Sequence, residues 1–406
     1  MVGRINSMIL LFLLLSCGSI YLFLFRGEFI LLGLLFFVIL SFYAKPVYNR
    51  ELLKKFFIST SIVSSILVFN WIVTGFSLSI VEYPKYLIRV LIVNFALFVL
   101  YNNNKYFSYK NLEWIFKLVV VHALLNFIFG FFFRSLFISV GSQEGYQASS
   151  LLYIFFYMAN INIAGFDIYR NQSFFWEPGV LSCILNLYLF ILLLVRENVQ
   201  KSSLLIFLVC FLIITTFSTT GLGLMVILFC VYFFKDKISL KKITVLILAS
   251  LLLVPILIMN IREKMTGGGE VSYIVRYYDS FIALDIIRSH PIFGIGLSSE
   301  KYNAEQIKYP RFSQSELEEG KPSTNSILGV FTAFGIPLGL LILYGLYKQI
   351  LIPKWRKFLF LVFVIFLASE PLILSAFFIM FICSLFYYQE NKGIGYVSQE
   401  SLNLNS

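Results

Sequence analysis

Apolar runs long enough to cross a hydrocarbon core, roughly 20 residues each, recur from one end of this sequence to the other. Phe56 to Ile80, Ile243 to Ile261 and Asn325 to Leu346 are three of them. A water-soluble fold could not cover so many, because only 13% of the 406 residues are charged while 59% are hydrophobic. The chain is therefore expected to be all-α, a polytopic transmembrane helical bundle, since in lipid each span must satisfy its own backbone polar groups. Polar breaks fall near Arg26, Lys45 to Lys55, Glu82 to Lys85, Asn102 to Lys110, Arg134 to Pro178, Arg196 to Lys201, Thr219, Lys235 to Lys242, Arg262 to Ser323, Lys348 to Lys357, and Glu370. They divide the chain into about twelve spans. The first run, Met8 to Phe25, has a basic flank like a signal peptide but no small-residue cleavage site, and a second run follows within a few residues. It reads as a retained span.

The formal charge of +11 does not point to nucleic acid, because lysines and arginines cluster in short stretches between apolar runs rather than on one face. Alternate breaks carry Lys45/Arg50/Lys54/Lys55, Lys105/Lys110, Arg196/Lys201, Lys235/Lys237/Lys241/Lys242 and Lys348/Lys354/Arg356/Lys357. By the positive-inside rule these face the cytoplasm, as do both termini of a multi-pass membrane protein. Cys17, Cys183, Cys210, Cys230 and Cys383 all lie inside apolar segments without zinc or disulfide spacing. The two histidines, His122 and His290, fall in different segments. No metal site is expected.

The reading is a single integral membrane domain over residues 1–406, with two external segments longer than a chain reversal needs: 134–178 and 262–323, roughly 45 and roughly 60 residues. Function is expected there. In the second, Ile274, Tyr277, Phe281, Leu284 and Ile287 recur at helical spacing, which predicts a helix over Tyr273 to Ile287 lying on the outer membrane surface. In the first, Leu151 to Met158 is apolar but too short to span, and is expected to form a surface or re-entrant helix.

The stretch Tyr169-Arg170-Asn171-Gln172-Ser173-Phe174-Phe175-Trp176-Glu177-Pro178-Gly179 stands at the outer mouth of the span that ends near Val195. Glu177, beside a proline at the first turn of a helix, is placed either to cap that helix or to take a proton from a hydroxyl. Arg170 is either a solvated or headgroup arginine or a bidentate clamp for phosphate. A second cluster joins Arg276, Asp279, Asp285, Arg288, Ser289 and His290 to Pro291-Ile292-Phe293-Gly294-Ile295-Gly296. Arginines on a surface helix suit an anionic lipid-linked phosphate, and an ordinary amphipathic helix would carry them equally. Asn325, in Pro322-Ser323-Thr324-Asn325-Ser326, either binds sugar or caps the span it opens. Lys85 and Arg89 sit at the outer end of a span and either snorkel or help hold a pyrophosphate. A tight turn explains Phe217-Ser218-Thr219-Thr220-Gly221.

Taken together, Arg170 with Phe174 to Gly179, Phe217 to Gly221, Ser289 to Gly296, and Asn325-Ser326-Ile327-Leu328 with Gly335 resemble, in order, the O-antigen and capsular polysaccharide polymerases. These form the Wzy-type branch of the O-antigen polymerase and ligase superfamily. The motif likeness covers approximately Arg170 to Gly339, and the likeness in topology the whole chain. The resemblance implies a GT-C-like, metal-independent membrane glycosyltransferase with no cofactor. Its substrate would be an undecaprenyl-pyrophosphate-linked oligosaccharide, and its partners the bilayer, a chain-length regulator and a flippase. In that reading Arg170, Arg276 and Arg288 hold the leaving pyrophosphate, Glu177 readies the acceptor hydroxyl, and His290, Asn325 and Arg89 belong to the binding site. Ligases carry a histidine immediately before the residue matching Asn325. Thr324 stands there instead, which favours polymerase over ligase. A flippase or exporter of lipid-linked oligosaccharide is the reading from another class, and it would place ionisable residues at mid-membrane.

Overall fold

A computed structural model of the protein describes residues 2–24, 27–45, 48–75, 81–104, 107–141, 147–163, 166–235, 244, 255, 258–259, 261–262, 270–308 and 325–387. Among them six helices are long and apolar enough to cross a membrane: α3 (Gly27–Ala44), α4 (Arg50–Thr74), α5 (Glu82–Asn103), α6 (Tyr109–Phe132), α7 (Pro178–Phe190, continued by a π turn Ile191–Val195) and α12 (Ser326–Lys348). Preceding α3 are α1 (Val2–Leu15) and the short α2 (Tyr21–Leu24). Between α7 and α12 come α8 (Ser203–Thr215), α9 (Thr219–Phe234), α10 (Glu270–Ser289) and α11 (Ser299–Ile307). After α12 follow α13 (Arg356–Ser369) and α14 (Ala376–Ser384). Most of the expected span Ile243 to Ile261 lies outside the described residues.

The core is built around α7. Every residue from Pro178 to Val195 is buried, as an all-round apolar helix requires. It packs on α6, α8, α9 and α13. Its one long amide, Asn186, donates to the Ser182 carbonyl at 2.9 Å and to the Gly221 carbonyl of α9 at 3.1 Å, so no free donor is left in the core by this group. The chain then runs back and forth so that the basic turns gather at one end of the bundle. There Lys45 donates to the Asn102 carbonyl (2.7 Å) and Lys354 to the Val195 carbonyl (3.2 Å).

Three expectations need correction. Residues Leu151 to Met158 are not a helix, and the chain is not all-α. A four-stranded antiparallel sheet, in the order β1 (Ile138–Gly141), β2 (Gln147–Leu151), β3 (Phe155–Ile163), β4 (Phe166–Ser173), fills the first long segment. Leu151 and Phe155 pair across a tight hairpin whose tip residues Leu152 and Tyr153 have φ of 57° and 56°. The apolar run was read by its length, whereas its aromatic and β-branched content and the alternation Asn160-Ile161-Asn162-Ile163 favour a pleated strand. Nor is Met8 to Phe25 one span. The helix stops at Leu15, and Ser19 bridges to Phe175 before α2 begins. Gly18 and Ile20 spend their backbone groups on the neighbouring segment instead, with Trp176 N–H donating to Gly18 O (2.9 Å) and Ile20 N–H to Phe174 O (2.8 Å).

The helix expected over Tyr273 to Ile287 is present within α10. Ile282 and Ile286 pack with Ile295 and Tyr302 on its protein side, while Tyr277, Phe281 and Leu284 are exposed on another. Its end docks onto a break in α12. At Gly335, φ is 73° and ψ 176°, outside the helical region. The carbonyls released there are used by the Pro291 to Gly296 stretch: Ile295 N–H donates to Thr332 O (2.8 Å), Gly296 N–H to Ala333 O (3.0 Å), and Ile336 N–H returns to Pro291 O (2.7 Å). Asn70 of α4 adds a bond to Phe293 O at 2.8 Å. The glycine-bearing motif thus fastens the surface helix to a broken span by main-chain pairing.

Candidate functional site

Strand β4 delivers Arg170 and then turns the chain into α7. Three polar side chains set this path. Asn126 of α6 donates to Asn171 Oδ1 at 2.8 Å, and Asn171 donates onward to the Ala123 carbonyl (3.0 Å) and Thr215 Oγ1 (3.3 Å). Ser173, at φ 56°, lies 2.6 Å from His122 Nδ1. Buried amides held at both ends fix a backbone more firmly than apolar contacts do, because any other register leaves them unpaired. Arg170 follows from this register, and its Nε donates to the Thr216 carbonyl at 3.0 Å, at the C-terminal end of α8.

Glu177 is the residue before α7, extended at φ −137° and ψ 147°, with Pro178 starting the helix. Its side chain makes no capping hydrogen bond. Capping therefore does not explain Glu177. It does account for Asn325, whose Oδ1 accepts from Ile327 N–H (3.0 Å) and Leu328 N–H (3.1 Å) at the start of α12. The same holds for Ser218, which accepts from Gly221 N–H (3.2 Å) in the tight turn before α9.

The charges converge on Arg170. Burial draws its pKa below the usual arginine value, the fields of Glu177 and Glu370 push it back up, and that of Arg276 on α10 lowers it. The two carboxylates stand at the first turn of α7, Glu177 before it and Glu370 over Gly179, and together with Arg276 of α10 they act electrostatically on the β4 arginine. Such a set can hold a doubly charged anion between the arginines while a carboxylate faces an incoming hydroxyl.

Arg288 and His290 stand apart from this convergence. Twelve residues beyond Arg276 on the same helix, Arg288 is about 18 Å away along the axis, and both Arg288 and His290 are exposed. Arg89 supports the site at one remove: it donates to the Leu374 carbonyl at 2.7 Å, with its guanidinium 4.9 Å from the Tyr86 ring centroid. Lys85 is exposed, and Thr324, where a ligase histidine would stand, lies outside the described residues.

Glu370 is the residue that the sequence did not single out beyond a polar break. It is 4% exposed, and it lies over the first turn of α7, where a Cβ at Gly179 would overlap its Oε1. A carboxylate in a chain so poor in charge, between two apolar runs, was the available signal.

No curated protein matches the chain. The family model for O-antigen ligase matches residues 204–343, from α8 through the kinked part of α12. The matched stretch carries the α10 arginines and the docking motif, and over this third of its length the chain is similar to that family.

Proposed function

We propose that this protein is a polysaccharide polymerase of the bacterial inner membrane, with both termini in the cytoplasm. It transfers a growing glycan from undecaprenyl pyrophosphate onto a new lipid-linked repeat unit at the outer face. The acceptor hydroxyl attacks the anomeric carbon of the donor sugar, and the bond from that carbon to the phosphate oxygen breaks with its electron pair leaving on undecaprenyl pyrophosphate. Arg170 and Arg276 bind that diphosphate and offset the charge it gains. Glu177 accepts the proton of the hydroxyl. A flippase supplies the repeat units and a chain-length regulator acts beside the enzyme.

The observation that carries this reading is the electrostatic action of Arg276 and Glu177 on Arg170. Burial and the field of Arg276 both disfavour the charged form of Arg170, and an anionic substrate offsets that cost. The uncapped carboxylate of Glu177 supports the base role. A second reading, glycan transfer to lipid A core, is favoured by the description of the matching family, O-antigen ligase.

Purified protein in detergent with lipid-linked repeat units separates the two. A ladder of longer lipid-linked chains is the expected product. Transfer only when lipid A core is added would make the protein a ligase, and no product with either acceptor would remove the enzyme reading.

A further inference from the structure

The turn that carries Glu370 is held from several sides. Its own N–H closes α13 on the Phe366 carbonyl at 2.9 Å. Its carbonyl accepts from the Oγ of Ser326, the first residue of α12, and Ser326 Oγ in turn accepts from Leu372 N–H (2.6 Å) and Ile373 N–H (3.2 Å). Arg89 of α5 holds the next part of the turn through Leu374. The carboxylate is therefore delivered by a braced backbone and does not depend on side-chain rotamers alone.

It is delivered to an unusual place. The first turn of a helix presents N–H groups that its N-cap side chain ordinarily satisfies, yet Glu177 makes no such bond. The only side chain small enough for Glu370 to lie on this turn is the one present at Gly179. A carboxylate from nearly two hundred residues away thus brings a negative charge to the positive end of the central helix. It also stands within the field of Arg170.

We propose that Glu370 is a positioning residue. Seated on the first turn of α7, it leaves Glu177 to face the acceptor and supplies the counter-charge that lets Arg170 and Arg276 share the site before a lipid diphosphate arrives. This deepens the reading given under Proposed function and rests on it. Glu370 touches neither the sugar nor the diphosphate. It acts by holding the groups that do.

The test uses the full chain in detergent and two readouts, the affinity for undecaprenyl pyrophosphate and the rate of chain extension on lipid-linked repeat units. Glu370→Gln removes an anion, so undecaprenyl pyrophosphate is expected to bind as well as in the parent or better. Chain extension is expected to fall by about 10²-fold, the cost of an ångström of misplacement. Glu370→Asp, which keeps the charge, is expected to recover part of that loss. Gly179→Ala approaches the same contact from the other side, and should reproduce the split although alanine is the better helix residue. Its effect on thermal unfolding should vanish in a Glu370→Ala background, where the clash is gone.

Glu370→Gln extending chains at the parent rate overturns the proposal. So does a loss of affinity in step with the loss of rate, or additive melting shifts for Gly179→Ala and Glu370→Ala. A parent chain that binds no undecaprenyl pyrophosphate removes the reaction itself, and the role of Glu370 falls with it.

Discussion

Arg170 gives its Nε to the carbonyl of Thr216 at 3.0 Å, so one edge of the guanidinium is tied to the end of α8. Lysine has a single ammonium and no planar fork, and cannot keep that tie while engaging a phosphate bidentately. Arg170→Lys is expected to fold normally and to lose chain extension by about 10²- to 10³-fold, the usual cost of removing a group that stabilises developing charge. The lipid-linked ladder, read with a thermal unfolding control, checks it.

Glu177 and Asn325 both precede a helix, and they should respond in opposite ways. Glu177→Gln leaves α7 without any capping bond to lose, so stability should stay within about 0.5 kcal/mol. Extension should drop by about 10²- to 10⁴-fold if the carboxylate takes the proton. Asn325→Ala gives up two N–H partners and should cost about 1 kcal/mol of stability, with a smaller effect on the ladder. Normal polymer from the Glu177 variant would end the base assignment.

Arg276 and Arg288 share a helix, and only Arg276 is expected to hold the diphosphate. Arg276→Ala is expected to abolish long products. Arg288→Ala should leave their length distribution close to that of the parent, because about 18 Å of helix separates the two side chains. Gel profiles of both variants, made at equal protein level, decide between one clamp and two.

Gly335 holds α12 broken at a φ of 73°, and a Cβ there would overlap the Ile292 carbonyl. Gly335→Ala should therefore destabilise the protein by about 1–3 kcal/mol. It should also loosen α10, which reaches α12 through that carbonyl stretch. Faster proteolysis between residues 262 and 299 in the variant, at a temperature where the parent resists, is the expected sign.

Orientation is open to a direct chemical check. In a background lacking the five native cysteines, Ser139→Cys on the exposed edge of β1 should react with an impermeant maleimide added to intact cells. Lys201→Cys, in a basic turn, should react only after permeabilisation. Both positions are exposed, so reagent access depends on the side of the membrane alone. The reverse pattern would invert the proposed topology.

Much of the helical layout was legible in the amino-acid order. Arg50–Thr74 and Ser326–Lys348 lie where runs of apolar residues placed them, and the helix read over Tyr273 to Ile287 lies within Glu270–Ser289. The sheet was not read correctly, because Leu151 to Met158 is as apolar as a short helix would be, and its strand partners come from the polar residues on either side. The break at Gly18 escaped for a related reason: its backbone is satisfied by Phe174 and Trp176, more than 150 residues downstream.

Of the candidate residues, Arg170, Glu177 and Arg276 stand out from local chemistry, and Glu370 does not. What a stretch of residues does alone, such as partition into lipid, repeat every helical turn or start a helix at a proline, is local free energy and is written along the chain. Which carboxylate lies over the first turn of α7 depends on a contact between Gly179 and Glu370, and the field of Arg276 on Arg170 links two residues 106 positions apart. Those are long-range packing and electrostatic choices, settled only once the helices around α7 are in place.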